Sequence, residues 1–162
     1  MLVSTFTLGD LYLGIDIILV REINRSMECT PVPGSQDYIR GMLNIRGRVI
    51  SLFDLKRRLG WSEDEASDST IKQYNVIMKT HAEVMKINPT LARSRCTWED
   101  PVGLAVDQLG DVREIVDDNI LPPPANLRGI AADFVHGVVE FERNLLIIIN
   151  VAMVLGLNQH NQ

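Results

Sequence analysis

The chain repeats itself at long range. Residues 41–60 lie over residues 137–156 at an offset of 96 with no gap, and apolar positions fall on apolar positions almost throughout. The tetrapeptide Val20-Arg21-Glu22-Ile23 recurs as Val112-Arg113-Glu114-Ile115 at an offset of 92, and Pro31 falls on Pro123 at the same offset. Gly14 before the first copy is echoed by Gly103 before the second. A long period filled with β-type sequence confines the chain to two units of one design, each needing the other to finish its core. At 162 residues and 46% hydrophobic, each half would have about 70 to 80 residues and be marginally stable alone. The halves are therefore expected to share buried surface.

Short runs of branched and aromatic residues dominate the chain. They predict strands over residues 6–8, 11–15, 17–23, 42–45, 49–53, 74–78, 103–106, 112–116, 135–141 and 145–149. Gly9-Asp10 reads as a tight turn, and Arg46-Gly47-Arg48 joins two strands. Pro31 and Pro33 remove two amides, so residues 29–34 form an edge or connector, after which Ser35 is expected to cap a helical turn through Ile39. Asp54 is placed to cap a short helix ending at Gly60, and Asn150 to cap its copy. A polar, acidic stretch over residues 62–69 reads as a solvated linker. Strands at this spacing, punctuated by Gly and Pro, point to small barrels rather than an α/β sheet.

The chemistry that the chain lacks narrows its function. Five residues separate Gly41 from Gly47 and Arg48 follows, which misses a phosphate loop in both spacing and lysine. His81-Ala82-Glu83 is half of a zinc-deaminase signature without its Pro-Cys-x-x-Cys partner. Three histidines and two cysteines, Cys29 and Cys96, are scattered, so no metal, cofactor or nucleophile site is expected. Both thiols read as reduced, and His136 reads as a satisfied barrel histidine. Net charge is −5 and aromatics are 6%, which opposes binding to nucleic acid. The apolar tract 145–157 is broken by Asn150 and falls short of the roughly 20 residues that span a bilayer, so it is core. The first basic side chain is Arg21, so no secretory signal is expected and the reading is cytoplasmic. Two rivals from other classes stay open here: a small barrel-based enzyme and a nucleic-acid-binding barrel.

The order Gly14-Ile15-Asp16, Val20-Arg21-Glu22-Ile23, Pro31-Val32-Pro33, Ile39-Arg40-Gly41, Asn44-Ile45-Arg46-Gly47 and Ser51-Leu52-Phe53-Asp54-Leu55 resembles the CheW family of bacterial chemotaxis coupling proteins. The strand Val102-Gly103-Leu104-Ala105-Val106-Asp107 is similar to the family pattern as well, and the likeness covers residues 2 to about 157. It implies an all-β fold: two tandem SH3-like five-stranded barrels packed side by side, with a short helix after the last strand of each half. Placed on this chain as a single domain of residues 1–162, it sets the first barrel at about 13–60, a linker at 61–70 and the second barrel at about 71–157, with residues 2–12 closing one barrel. It also implies a non-catalytic, cytoplasmic adaptor in receptor arrays. The partners would be the helical-hairpin tip of a chemoreceptor and the regulatory domain of the histidine kinase CheA, with neither nucleic acid nor direct membrane insertion.

By the same resemblance Glu22, Ile23, Asn44, Arg46 and Gly47 are the candidate contact residues. Arg46 has two readings: its planar fork meets the receptor, or it pairs internally with Glu22. Its counterpart in the second half is Glu142, so the arginine contact belongs to the first half alone. Where the family turns tightly, this chain inserts about 20 residues from His81 to Pro101, including Met85, Pro89, Cys96 and Trp98. They read either as a cover on an interface or as a surface hairpin with Trp98 folded back.

Overall fold

The computed structural model describes residues 1–60, 74–93, 98–125 and 127–156; the expected linker at 61–70 and Cys96 lie outside them. Ten strands run β1 Leu2–Leu8, β2 Leu11–Asp16, β3 Val20–Arg25, β4 Ile39–Ile45, β5 Arg48–Asp54, β6 Tyr74–Met78, β7 Val102–Val106, β8 Gln108–Glu114, β9 Val135–Phe141 and β10 Asn144–Ile149. Among the described residues four short α-helices accompany them: α1 Leu55–Arg58, α2 His81–Ile87, α3 Pro89–Arg93 and α4 Val151–Val154. The strands form two five-stranded sheets of SH3-like barrel form, ordered β3-β6-β7-β5-β4 and β8-β1-β2-β10-β9. All-β architecture with a helix after the last strand of each half is what the sequence predicts.

The barrel boundaries are not. The first barrel takes β3, β4 and β5 but is completed by β6 and β7, which the sequence assigned to the second; β1 and β2 belong to the second barrel. In repeat terms, β1–β5 with α1 is one copy and β6–β10 with α4 the other, and each copy gives its leading hairpin to its twin. The seams of the exchange are two parallel pairings in matching register. Leu52 of β5 lies opposite Gly103 of β7, and Ile148 of β10 lies opposite Gly14 of β2. The physical reason lies in strand polarity: β5 and β7 run in the same direction, so no tight hairpin is involved in joining them, and the long connection after α1 lets the donated strands come from the other copy.

The core follows from this exchange. Inside the first barrel Leu43, Ile50 and Leu52 pack with Ile77 and Ala105; inside the second Val139, Leu146 and Ile148, each 96 positions later, pack with Val3 and Ile115. A larger cluster draws on both sheets and includes Phe6, Leu8, Leu13, Leu55, Leu59, Val76, Leu104, Val106, Ile147, Ile149 and Val154. The two faces of β10 therefore serve two cores, which is why its sequence is apolar without alternation. Each fully buried Leu, Ile or Phe contributes about 1.5–3 kcal/mol.

Smaller details repeat too. Asp54 Oδ1 accepts from Arg57 N–H, and Asn150 Oδ1 accepts from Met153 N–H, so both predicted caps form. Across the seam Arg58 donates from Nε to Val154 O (2.7 Å) and from Nη2 to Met153 O (2.9 Å), and its guanidinium lies over the rings of Tyr38 and Phe134. The first barrel's helix thus caps carbonyls of the second barrel's helix.

Other expectations need correction. Ser35 caps no helix: its hydroxyl donates to Val32 O, and residues 33–34 and 37–38 form turns, because Pro33-Gly34 favours a turn with Gly34 at φ +78°. The connector bridges Leu121 to Val138 as Thr30 bridges Met42, so the structural mate of Pro31 is Pro122 rather than Pro123. His136 is exposed, since it points outward on β9 between buried Val135 and Gly137. The described part of the insertion carries two helices rather than a hairpin: α2 and α3 bury Val84 and Ala92 in the shared core, with Met85, Leu91 and Trp98 packed on it.

Candidate functional site

The β4–β5 hairpin positions three of the five expected residues. Ile45 pairs with Arg48, leaving Arg46-Gly47 as a two-residue turn with φ of +51° and +79°. Such a left-handed pair matches the twist of the flanking strands, and glycine takes its place without strain while the arginine costs about 1 kcal/mol. Asn44 offsets part of that cost, its Oδ1 accepting from Gly47 N–H at 3.0 Å. Asn44 and Gly47 shape the turn; Arg46 projects from it.

Glu22 lies on β3, the opposite edge of the same sheet. It forms an ion pair with Arg46, while Asn24 Nδ2 donates to its other oxygen at 3.2 Å. The side chain of Arg46 is 69% exposed and that of Glu22 only 22%. The internal pairing is therefore present, yet most of the Arg46 side chain still faces outward. Arg21, Glu22, Ile45, Arg46, Arg48 and Ile50 line a hollow between the two edges, with an apolar floor and a charged rim. Ile23 does not line it and is 37% exposed beside half-buried Glu22, whereas Arg21 reaches the rim from the bulge where the β3–β6 register shifts between Val20 and Glu22.

The residue that sequence reasoning missed is Glu83. Thr80 and Glu83 form a reciprocal capping box at the start of α2, with Thr80 N–H donating to Glu83 Oε1 at 3.2 Å. The same carboxylate receives Arg48 Nη2 at 3.0 Å and Arg21 Nη1 at 3.2 Å. The Thr80-x-x-Glu83 spacing carried that signal, as a capping box announces a helix start. Partial burial pushes the Glu83 carboxyl up, but bonds from Arg48 and Thr80 outweigh it and hold the group below its ordinary value of 4.5. A lowered acid stabilises the fold above its ordinary value and loses that contribution as pH falls through its folded value. Stability of the wild type should therefore drop more steeply than that of Glu83→Gln as pH falls below the ordinary value of 4.5; parallel denaturant titrations check it, and equal slopes would refute it.

The second barrel does not duplicate the site. Glu142 stands where Arg46 would be, Arg113 donates to Tyr12 Oη at 3.0 Å and lies over Phe141, and Ile115 is buried where Ile23 is exposed. Among the described residues there is no group of three or more His, Cys, Asp or Glu able to hold a metal ion, and no helix long and apolar enough to cross a membrane.

Residues 3–159 match the CheW-like domain. The chain belongs to the CheW-like domain family. It is 26% identical over 149 residues to the chemotaxis protein CheW of Treponema pallidum (strain Nichols), covering 91% of this chain and 77% of that protein. With the chemotaxis protein CheW of Bacillus subtilis (strain 168) it shares 28% over 142 residues, 88% of this chain and 78% of the relative. The crystal structure of the scaffolding protein TtCheW from Thermoanaerobacter tengcongensis superposes with a TM-score of 0.74 at 26% identity, covering 97% of this chain and 88% of that one. The CheW-like fold of two related barrels accounts for the internal repeat, and the ion-paired turn of the first barrel is one of the places where its twofold likeness breaks.

Proposed function

We propose that this chain is a non-catalytic adaptor that couples the cytoplasmic tip of a chemoreceptor to the regulatory domain of the histidine kinase CheA. The observation that carries the reading is the Arg46–Glu22 pair: an arginine held by one partner, its side chain mostly open to solvent, and present in one barrel only. A receptor tip is a helical hairpin, and a helix face docks through apolar anchors flanked by charges. Exposed Ile23 and Val49 on strands of the same barrel supply apolar surface near that charge. The kinase domain, built from related barrels, docks end to end in this reading, as heterologous contacts do. The protein acts in the cytoplasm at receptor arrays and passes a receptor change on by holding both partners in register.

Arg46→Glu tests the site. Reversing an exposed charge should cost about 1 kcal/mol of stability or less, whereas losing a charge-assisted interface contact costs roughly 2 kcal/mol or more, which lowers affinity tens-fold. Binding of a receptor-tip hairpin and receptor-dependent kinase activation are the measurements, with a thermal melt alongside. The swap Glu22→Arg with Arg46→Glu restores the internal pair alone; recovery of activation by the swap would show that Arg46 acts only within this chain and sink the contact assignment.

A further inference from the structure

The insertion brings to the rim of the hollow a charge that nothing in the repeat supplies. Glu83 sits on α2, between β6 and β7, in a segment with no counterpart in the first copy. Its two oxygens take one arginine from β3 and one from β5: Oε2 accepts from Arg21 Nη1 at 3.2 Å, Oε1 from Arg48 Nη2 at 3.0 Å. Arg21 and Arg48 line the same hollow as Arg46, and their side chains are 36% and 32% exposed. Glu83 itself is doubly anchored, by its capping box with Thr80 and by Val84, the next residue, fully buried in the shared core. A carboxylate fixed at its own end can fix what it binds. Without it, two long side chains with about 2 kcal/mol of rotamer entropy each would sweep the rim.

We propose that Glu83 is a positioning residue for partner binding. It holds Arg21 and Arg48 as a preset pair of guanidiniums, so that with Arg46 they present a cationic rim around the Ile45–Ile50 floor to an acidic side chain flanked by an apolar one on a partner helix. The proposal rests on the adaptor reading and deepens it: the inserted helix becomes part of what selects the partner. Preorganised donors gain affinity because less ordering remains to be done on binding. Five charges, three positive and two negative, leave this rim at +1 within a chain of net charge −5, so an acidic partner segment is favoured here against the charge of the whole.

The test uses the full chain and a receptor-tip hairpin carrying acidic residues, with affinity measured by calorimetry at two salt concentrations. Glu83→Gln keeps a side chain able to complete the capping box but cannot hold two arginines. Affinity should fall about tenfold. The Arg21→Gln, Arg48→Gln variant should fall by at least as much, and adding Glu83→Gln to it should change affinity less than twofold, since the carboxylate then has nothing to position. Wild-type affinity should also weaken with salt more than that of the arginine-free protein. Should Glu83→Gln bind like wild type, or cost a further tenfold on the arginine-free background, the positioning role is overturned and the adaptor reading stands. If the wild type binds neither the hairpin nor the kinase regulatory domain, both fall. Were Glu83→Gln to melt early, the arginine-free variant, which leaves the cap intact, decides: wild-type affinity there overturns the proposal.

Discussion

Cut between its two repeats, this protein should yield two fragments that do not fold alone and that fold together when mixed. Residues 1–70 contain β1 to β5, but β1 and β2 pair with β8 and β10 of the other fragment, and β3 and β5 pair with β6 and β7. Neither fragment holds a complete barrel. Each keeps only antiparallel hairpins, and an isolated hairpin is marginal in water. The shared cluster would be opened as well, exposing Phe6, Leu8 and Leu13 on one side and Leu104, Val106 and Ile147 on the other. A domain stable by about 5–15 kcal/mol cannot lose half the surface it buries and remain folded.

Mixing restores the partners, because every pairing across the cut is between fragments rather than within one. The expected result is a collapsed or unfolded amide spectrum for each fragment and a dispersed, native-like one for the equimolar mixture, with a melting temperature that rises with concentration. A dispersed spectrum from residues 1–70 alone would mean that the tandem arrangement read from the sequence is the one adopted in solution.

That tandem arrangement shows where sequence reasoning reached its limit. The gap-free offset of 96 correctly paired β4, β5 and α1 with β9, β10 and α4, down to the caps Asp54 and Asn150, because those elements are consecutive in the chain and their patterns are dictated by local burial. Which hairpin completes which barrel is a non-local choice. A copy completed by its own hairpin and one completed by its twin's have the same alternation of apolar residues, so nothing in the pattern separates them. At the site, Glu22, Asn44, Arg46 and Gly47 were legible as a hairpin and an edge strand, and they converge, while Ile23 stands exposed beside Glu22 rather than in the hollow. The insertion read as a loop although Thr80-x-x-Glu83 marks a helix start, and with that helix went Glu83 and its two arginines. The family came through the order of short motifs, whose spacing survives where individual side chains do not.

Gly41→Ala should be among the most damaging single substitutions in the chain. Gly41 lies in β4 just after its register with β5 shifts, at φ +152°, and a Cβ built there falls 2.4 Å from Thr30 O and 2.7 Å from Thr30 C. Both neighbours are backbone, so no side-chain rotation relieves the contact. Thr30 and Met42 exchange two hydrogen bonds, Thr30 N–H to Met42 O at 2.9 Å and Met42 N–H to Thr30 O at 2.8 Å, which pin the β3–β4 connector to the barrel. The methyl group must push the connector off, break both bonds and uncover Cys29, which packs on the first barrel's interior. Strain and lost bonds together put the cost at about 3 kcal/mol. For a chain of this size that lowers the melting temperature by roughly 6 to 12 °C. Gly34→Ala is the control: it shares a positive φ, +78°, but its Cβ meets nothing within 4 Å, so it carries only the turn strain of about 1 kcal/mol. The separation of the two melting temperatures measures the close approach alone. If Gly41→Ala melts with Gly34→Ala, the connector does not lie against β4 in solution, and the same doubt extends to its twin, where Gly137 approaches Leu121 O.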